Sequence, residues 1–120
     1  MSTKTLLPIP ILTAGDMSGN LTSKAIPLQF EDNVGLQFVW TGSPVGTIQV
    51  QVTLDDPTGA VVNWTTIPAS AFVGTYPVPG TTTSPAYLDM ALLSAAYMQV
   101  TYTATSGSGS LSIKAVAKGV

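Results

Sequence analysis

The sequence predicts an all-β protein, a single antiparallel β-sandwich or jelly roll of about eight strands. Three observations carry that expectation. Apolar and polar residues alternate with a period of two along most of the chain, which puts one set of side chains on each face of a pleated strand. Clusters of Gly, Pro, Asn and Asp interrupt the alternation at short intervals, as chain reversals require. The 120 residues are 45% hydrophobic and only 8% charged, against ~25% charged in an average globular protein, so the chain has apolar surface for a core and lacks the composition of a disordered one.

Taken in order, Thr5–Thr13 and Leu21–Phe30 are two strand candidates joined by the turn from Ala14 to Asn20. Pro8, Ile9 and Pro10 sit early in this region. Proline suits an edge strand or an extended arm and is excluded from central strands. Residues 1–20 are therefore read as an N-terminal arm lying along another subunit, or as an edge strand, and residues 21–120 as the sandwich domain. Next, Val34, Leu36, Phe38 and Trp40 share one face of a strand. After the turn Thr41–Gly46, Ile48, Val50, Val52 and Leu54 share one face of another. The expected arrangement is a hairpin, with Trp40 in the core.

Asp55-Asp56-Pro57-Thr58-Gly59 is a turn, and Val61–Ile67 a further strand closed by Pro68. From Pro68 to Pro85 the chain is rich in proline and reads as a long irregular connection with one short strand around Phe72–Tyr76. Tyr87–Met90 is expected as a strand, followed by a helical turn or tight loop at Leu92–Ala96. Tyr97–Thr105 and Leu111–Lys118 complete the set, joined by the loop Ser106–Ser110, read as a second hairpin.

Composition excludes much chemistry. The chain contains no His and no Cys, so disulfides, thiolate nucleophiles, the usual zinc ligands and any His-activated serine are absent. The basic residues are Lys4, Lys24, Lys114 and Lys118, with no arginine; a protein that binds phosphate backbones needs more. No apolar run reaches the ~20 residues of a spanning helix. The apolar run at Leu6–Leu12 is broken by Pro8 and Pro10 and lacks a signal-peptide cleavage site. Neither nucleic acid nor membrane is an expected partner, and no signal peptide is expected.

The six acids include two adjacent pairs, Glu31-Asp32 and Asp55-Asp56. Adjacent strand residues point to opposite faces, so neither pair presents two carboxylates to one substrate as a glycosidase does. Turn and cap roles suit them better, ahead of a calcium site at Asp55-Asp56. No enzyme activity, metal or cofactor is expected. Thr and Ser are abundant while the net charge is only −2, and such a surface is weakly protected from association. Trp64, beside Asn63 and two threonines, and Phe72 and Tyr76 in the Pro-rich connection are the aromatics expected at a partner interface, joined by Pro8, Ile9 and Pro10. Sugar stacking, on Trp64 or Tyr76, is the alternative.

The segments Thr22–Leu28, Trp40–Val52, Asn63–Ile67 and Tyr97–Leu111 together resemble a group of small virion-associated proteins of bacteriophages, of the capsid decoration or head-fibre type. In that group a strand ending W-T-G-x-P-x-G leads into a V-x-V strand. An N-W-T-x-I/L strand follows, and Y-T-x-T-S-G-S/T-G closes the chain. The resemblance implies a capsid accessory part in the virion, made in the host cytoplasm and working as an oligomer on phage capsid proteins, with a trimer favoured. Where the group is expected to carry an arginine before the last turn, this chain has Met98-Gln99. Two alternatives stand beside this reading: a glycan- or receptor-binding module of a phage fibre, and a small jelly-roll capsid-shell subunit.

Overall fold

The computed structural model describes residues 9–28, 33–68, 76–90 and 95–118. Nine strands run through them: β1 (Ile9–Asp16), β2 (Leu21–Thr22), β3 (Ile26–Pro27), β4 (Asn33–Gly42), β5 (Val45–Thr53), β6 (Thr65–Thr66), β7 (Ala86–Met90), β8 (Tyr97–Ser106) and β9 (Gly109–Lys118). They form two antiparallel sheets. The first has the order β1-β9-β4-β7; the second has β2-β8-β5-β6, with β3 also on β8. The all-β sandwich is as expected, with nine strands where about eight were anticipated.

The core is the sum of the alternations. Val34, Leu36 and Phe38 from β4, Leu111 and Ile113 from β9 and Leu88 from β7 meet Ile48, Val50, Met98, Val100 and Tyr102 from the second sheet, all essentially inaccessible to water. Trp40 is buried with them. At roughly 1.5–3 kcal/mol for each large apolar side chain fully buried, this layer is the main source of stability.

Neither expected hairpin forms. β4 pairs with β9 from Asn33↔Lys118 to Gly42↔Gly109, while β5 pairs with β8 from Val45↔Ser106 to Thr53↔Tyr97. The connections β4–β5 and β8–β9 therefore cross from one sheet to the other. The reason is that both β4 and β5 carry an apolar face, and crossing sets those faces against each other across the core instead of side by side on one sheet. Each corner turns on a glycine at positive φ, Gly42 at 81° and Gly107 at 76°.

Residues 9–16 form β1, at the edge of the first sheet. β1 pairs with β9 through Ile9↔Ala115 and Pro10↔Lys114, with irregularities in register on either side of Leu12. Ile11 and Met17 are buried in the core. Pro10 is accommodated because an edge strand has one hydrogen-bonding side unpaired. Residues 1–8 lie outside the described residues.

Three strand expectations are revised. Leu21–Phe30 is not continuous: β2 and β3 each pair with β8 and are separated by Ser23–Ala25, while 29–30 lie outside the described residues. Of Val61–Ile67, only Thr65–Thr66 pair, with Val52 and Gln51. The alternation of β5 does not reach Leu54: the strand ends at Thr53, whose Oγ1 accepts the Asp55 N–H at 3.0 Å, and Leu54 turns out to 78% exposure. The expected turn at 92–96 falls largely on undescribed residues, as does the expected strand around Phe72.

Candidate interaction surface

The loop that follows β5 presents the most exposed large apolar side chains among the described residues, Leu54 at 78% and Val61 at 73%. Asp55 holds the loop together. Its Oδ2 accepts the Asn63 backbone N–H at 2.8 Å and the Asn63 amide Nδ2 at 3.1 Å, and the Thr53 hydroxyl at 3.4 Å. Asp56 closes the inner turn, with its Oδ1 accepting the N–H and hydroxyl of Thr58 at 2.9 and 2.7 Å. Hydrogen bonds from Asn63 pull the Asp55 carboxyl below its ordinary pKa, and those from Thr58 do the same for Asp56. The two carboxylates thus serve separate turns. Among the described residues no group of three or more His, Cys, Asp or Glu is placed to hold a metal ion.

Trp64 follows directly, half-buried between Asn63 and the short edge strand β6. The hollow beside it, lined by Val52, Leu54, Asp55, Asn63, Thr65 and Ala95, encloses about 290 Å³, at the bottom of the ~300–1,000 Å³ range of small-molecule sites. Asp55 fixes the loop so that Leu54 and Val61 stand in water without collapsing onto the sandwich. Solvated apolar side chains on a tied loop suit contact with another macromolecule.

The other sequence candidates fall elsewhere. Tyr76 is half-buried and packs on the core. Its hydroxyl donates to the Ile67 carbonyl at 2.5 Å and accepts the Val50 N–H at 3.2 Å. It therefore continues the β5 ladder where β6 stops. Burial raises the pKa of this phenol. Ile9 is 54% exposed and Pro10 is exposed, both on edge strand β1, in the other sheet from β6. Pro8 and Phe72 lie outside the described residues.

A second opening, about 560 Å³, lies at the corner end between the β4–β5 crossing and Gly80–Ser84. Trp40 borders it but is only 9% exposed, and the lining has no charged group. The Thr81–Thr83 run is tied internally, with the N–H groups of Thr81 and Thr82 donating to the Val78 carbonyl. Sequence reasoning missed Leu54, Val61 and Tyr87, the last 64% exposed on the outer face of β7. Each looked like an ordinary strand residue; only for Leu54 was there a cue, its place immediately before the Asp55-Asp56 turn.

No family model matches the chain, and no curated protein matches it. Solved structures do. The SPBc2 prophage-derived protein YomS superposes with a TM-score of 0.59, covering 98% of this chain and 99% of that one at 10% identity. The chain shares its fold with a prophage-derived protein. Chitosan-binding module 1 of a chitosanase/glucanase from Paenibacillus sp. IK-5 is similar at a TM-score of 0.46 and 17% identity, over 95% of this chain and 77% of that one.

Proposed function

We propose that this protein is a non-enzymatic structural component of a bacteriophage particle, self-associating and decorating or stabilising the capsid. The observation that carries the self-association is the loop at Leu54 and Val61, held by Asp55 and exposed to water. A monomer gains nothing from exposing two large apolar side chains at one loop, whereas a subunit contact buries them. The low content of charged residues, 8%, with a net charge of −2, agrees with a chain that packs against copies of itself. The phage assignment is supported by the motif resemblance to small virion proteins and by the shared fold with a prophage-derived protein.

Light scattering after size exclusion tests the first part. The unmodified chain is expected as a discrete small oligomer, a trimer, and the Leu54→Ser, Val61→Ser double variant as a folded monomer. A monomeric unmodified chain overturns self-association, and a large closed shell moves the assignment to a capsid-lattice subunit. Mass spectrometry of purified phage particles tests the second part: absence of the chain from the particle overturns a virion role.

A further inference from the structure

We propose that the outer face of the β1-β9-β4-β7 sheet binds a neutral glycan, with Tyr87 as the stacking platform. Tyr87 and Asp89 project outward from β7, opposite Gln37 and Gly35 of β4; on the far side of β4, Lys114 of β9 stands opposite Gln37. All four side chains, Tyr87, Asp89, Gln37 and Lys114, are exposed. They span two inter-strand spacings, about 10 Å, the breadth of a disaccharide.

Tyr87 lies down along the sheet instead of standing away from it. Its hydroxyl end rests diagonally over Gly35, where a methyl group would meet Oη at 3.0 Å and Cε1 at 3.4 Å. Even so, 64% of the residue remains open to solvent. An aromatic ring seated on a glycine of a rigid central strand is pre-positioned, so little side-chain freedom is lost when a sugar ring packs on it.

The polar groups around it are uncommitted. Their main chains are paired in the sheet, but among the described residues the side chains of Gln37, Asp89 and Lys114 and the Tyr87 hydroxyl take part in no hydrogen bond or ion pair. The outer face of the other sheet is the opposite case. There Gln99 donates to the Gln51 side-chain carbonyl at 2.8 Å, and Gln51 reaches Thr66 at 3.5 Å, so the polar groups satisfy one another. The Tyr87 face thus offers an aromatic surface, an amide that donates and accepts, a carboxylate acceptor and an ammonium donor. The two charges are of opposite sign and cancel, which favours a neutral polyhydroxylated ligand over an ionic one. A protein partner would have to desolvate both charges, whereas sugar hydroxyls can donate to the carboxylate and accept from the ammonium.

Backbone amide NMR of the full chain, titrated with cellohexaose, laminarihexaose, maltohexaose and N-acetylchitohexaose, is the test. At least one is expected to shift resonances of residues 35–39, 87–89 and 114–116, at a Kd of about 1 mM or tighter. Tyr87→Leu, which still covers Gly35, should weaken binding by about tenfold or more without changing the thermal midpoint, while Tyr87→Trp retains it. No shift with any of the four, shifts located elsewhere, or binding unchanged in Tyr87→Leu each overturns the proposal. Shifts at this face that depend on protein concentration and not on sugar would assign it to a second copy of the chain, and overturn it equally.

Discussion

Gly107 rests its Cα against the carbonyl of Ser43, so close that a Cβ at this position would fall far inside van der Waals contact with that oxygen. The two residues belong to different corners. Ser43 lies in the β4–β5 crossing and Gly107 in the β8–β9 crossing, and the Ser43 N–H donates to Ser108 O at 3.0 Å, fastening one to the other. The sandwich is closed at this end by backbone stacked on backbone, with glycine as the only residue that fits.

Gly107→Ala therefore combines a φ of 76° with a direct clash, and is expected to cost about 2 kcal/mol or more. Gly19→Ala is the control, because a Cβ there meets nothing within 4 Å; its stability should change by less than about 0.5 kcal/mol. Urea denaturation of the two variants against the unmodified chain measures the difference. Equal midpoints for the two would show that the corners are not packed as described.

These corners also mark the limit of what the sequence reveals. Alternation in β4, β5, β8 and β9 states which side chains face inward, and it did so correctly for Val34 through Trp40 and for Met98 through Tyr102. It does not state which strand lies alongside. A hairpin and a crossing corner both keep the same inward set and both use Gly and Pro. The choice is made by tertiary packing, where two apolar faces need each other. Leu54 shows the same limit at a strand end: it keeps the period of Ile48 and Val50, yet the Thr53–Asp55 turn takes it out of the pleat. Tyr87 could be placed on a strand from sequence, but its rest on Gly35 depends on the β4–β7 register.

Two tyrosines give substitutions of opposite sign. The Tyr76 hydroxyl joins Ile67 O and Val50 N, so Tyr76→Phe leaves half-buried backbone groups short of a partner and should cost about 1–2 kcal/mol. The Tyr102 hydroxyl is buried with no hydrogen-bond partner among the described residues. Tyr102→Phe removes that group and keeps the ring, so stability should stay level or rise by up to about 1 kcal/mol. Chemical denaturation of both variants checks the pair; a clear loss in Tyr102→Phe would indicate that its hydroxyl is hydrogen-bonded after all.

Acid should loosen the Leu54–Val61 loop before it unfolds the sandwich. Asp55 has its pKa lowered from about 3.8 mainly by the Asn63 backbone and amide hydrogen bonds, and Asp56 by those from Thr58. A depressed carboxylate favours the folded loop above the unfolded pKa, and that contribution disappears as pH falls through the folded value. Stability should be flat from neutrality down to about pH 5 and decline below about pH 4. The Asn63 amide resonance should follow the same curve, and Asp55→Asn should flatten its response. An Asn63 shift that titrates in Asp55→Asn as in the unmodified chain would assign the effect to another group.

Ser23 sits between β2 and β3, where the edge of the second sheet meets the edge of the first. Its N–H donates to Val100 O at 2.8 Å and its Oγ accepts the Val100 N–H at 2.8 Å while donating to Lys24 O at 3.0 Å. The side chain thus takes the ladder acceptor's place between β2 and β3. That frees the main chain to turn, and the Lys24 N–H then donates to Ile11 O of β1 at 3.0 Å, joining the edge of the first sheet to the edge of the second. Ser23→Ala is a small change in volume at a buried site, but it strands the Val100 N–H. The expected cost is about 1–3 kcal/mol. Hydrogen exchange should accelerate at Val100 and, because the kink relaxes, at Lys24 as well. Ser23→Thr, which restores an acceptor, should recover protection at Val100. Faster exchange at Val100 with Lys24 unaffected would mean that the contact between the sheet edges does not depend on the serine, and that β1 holds Lys24 by itself.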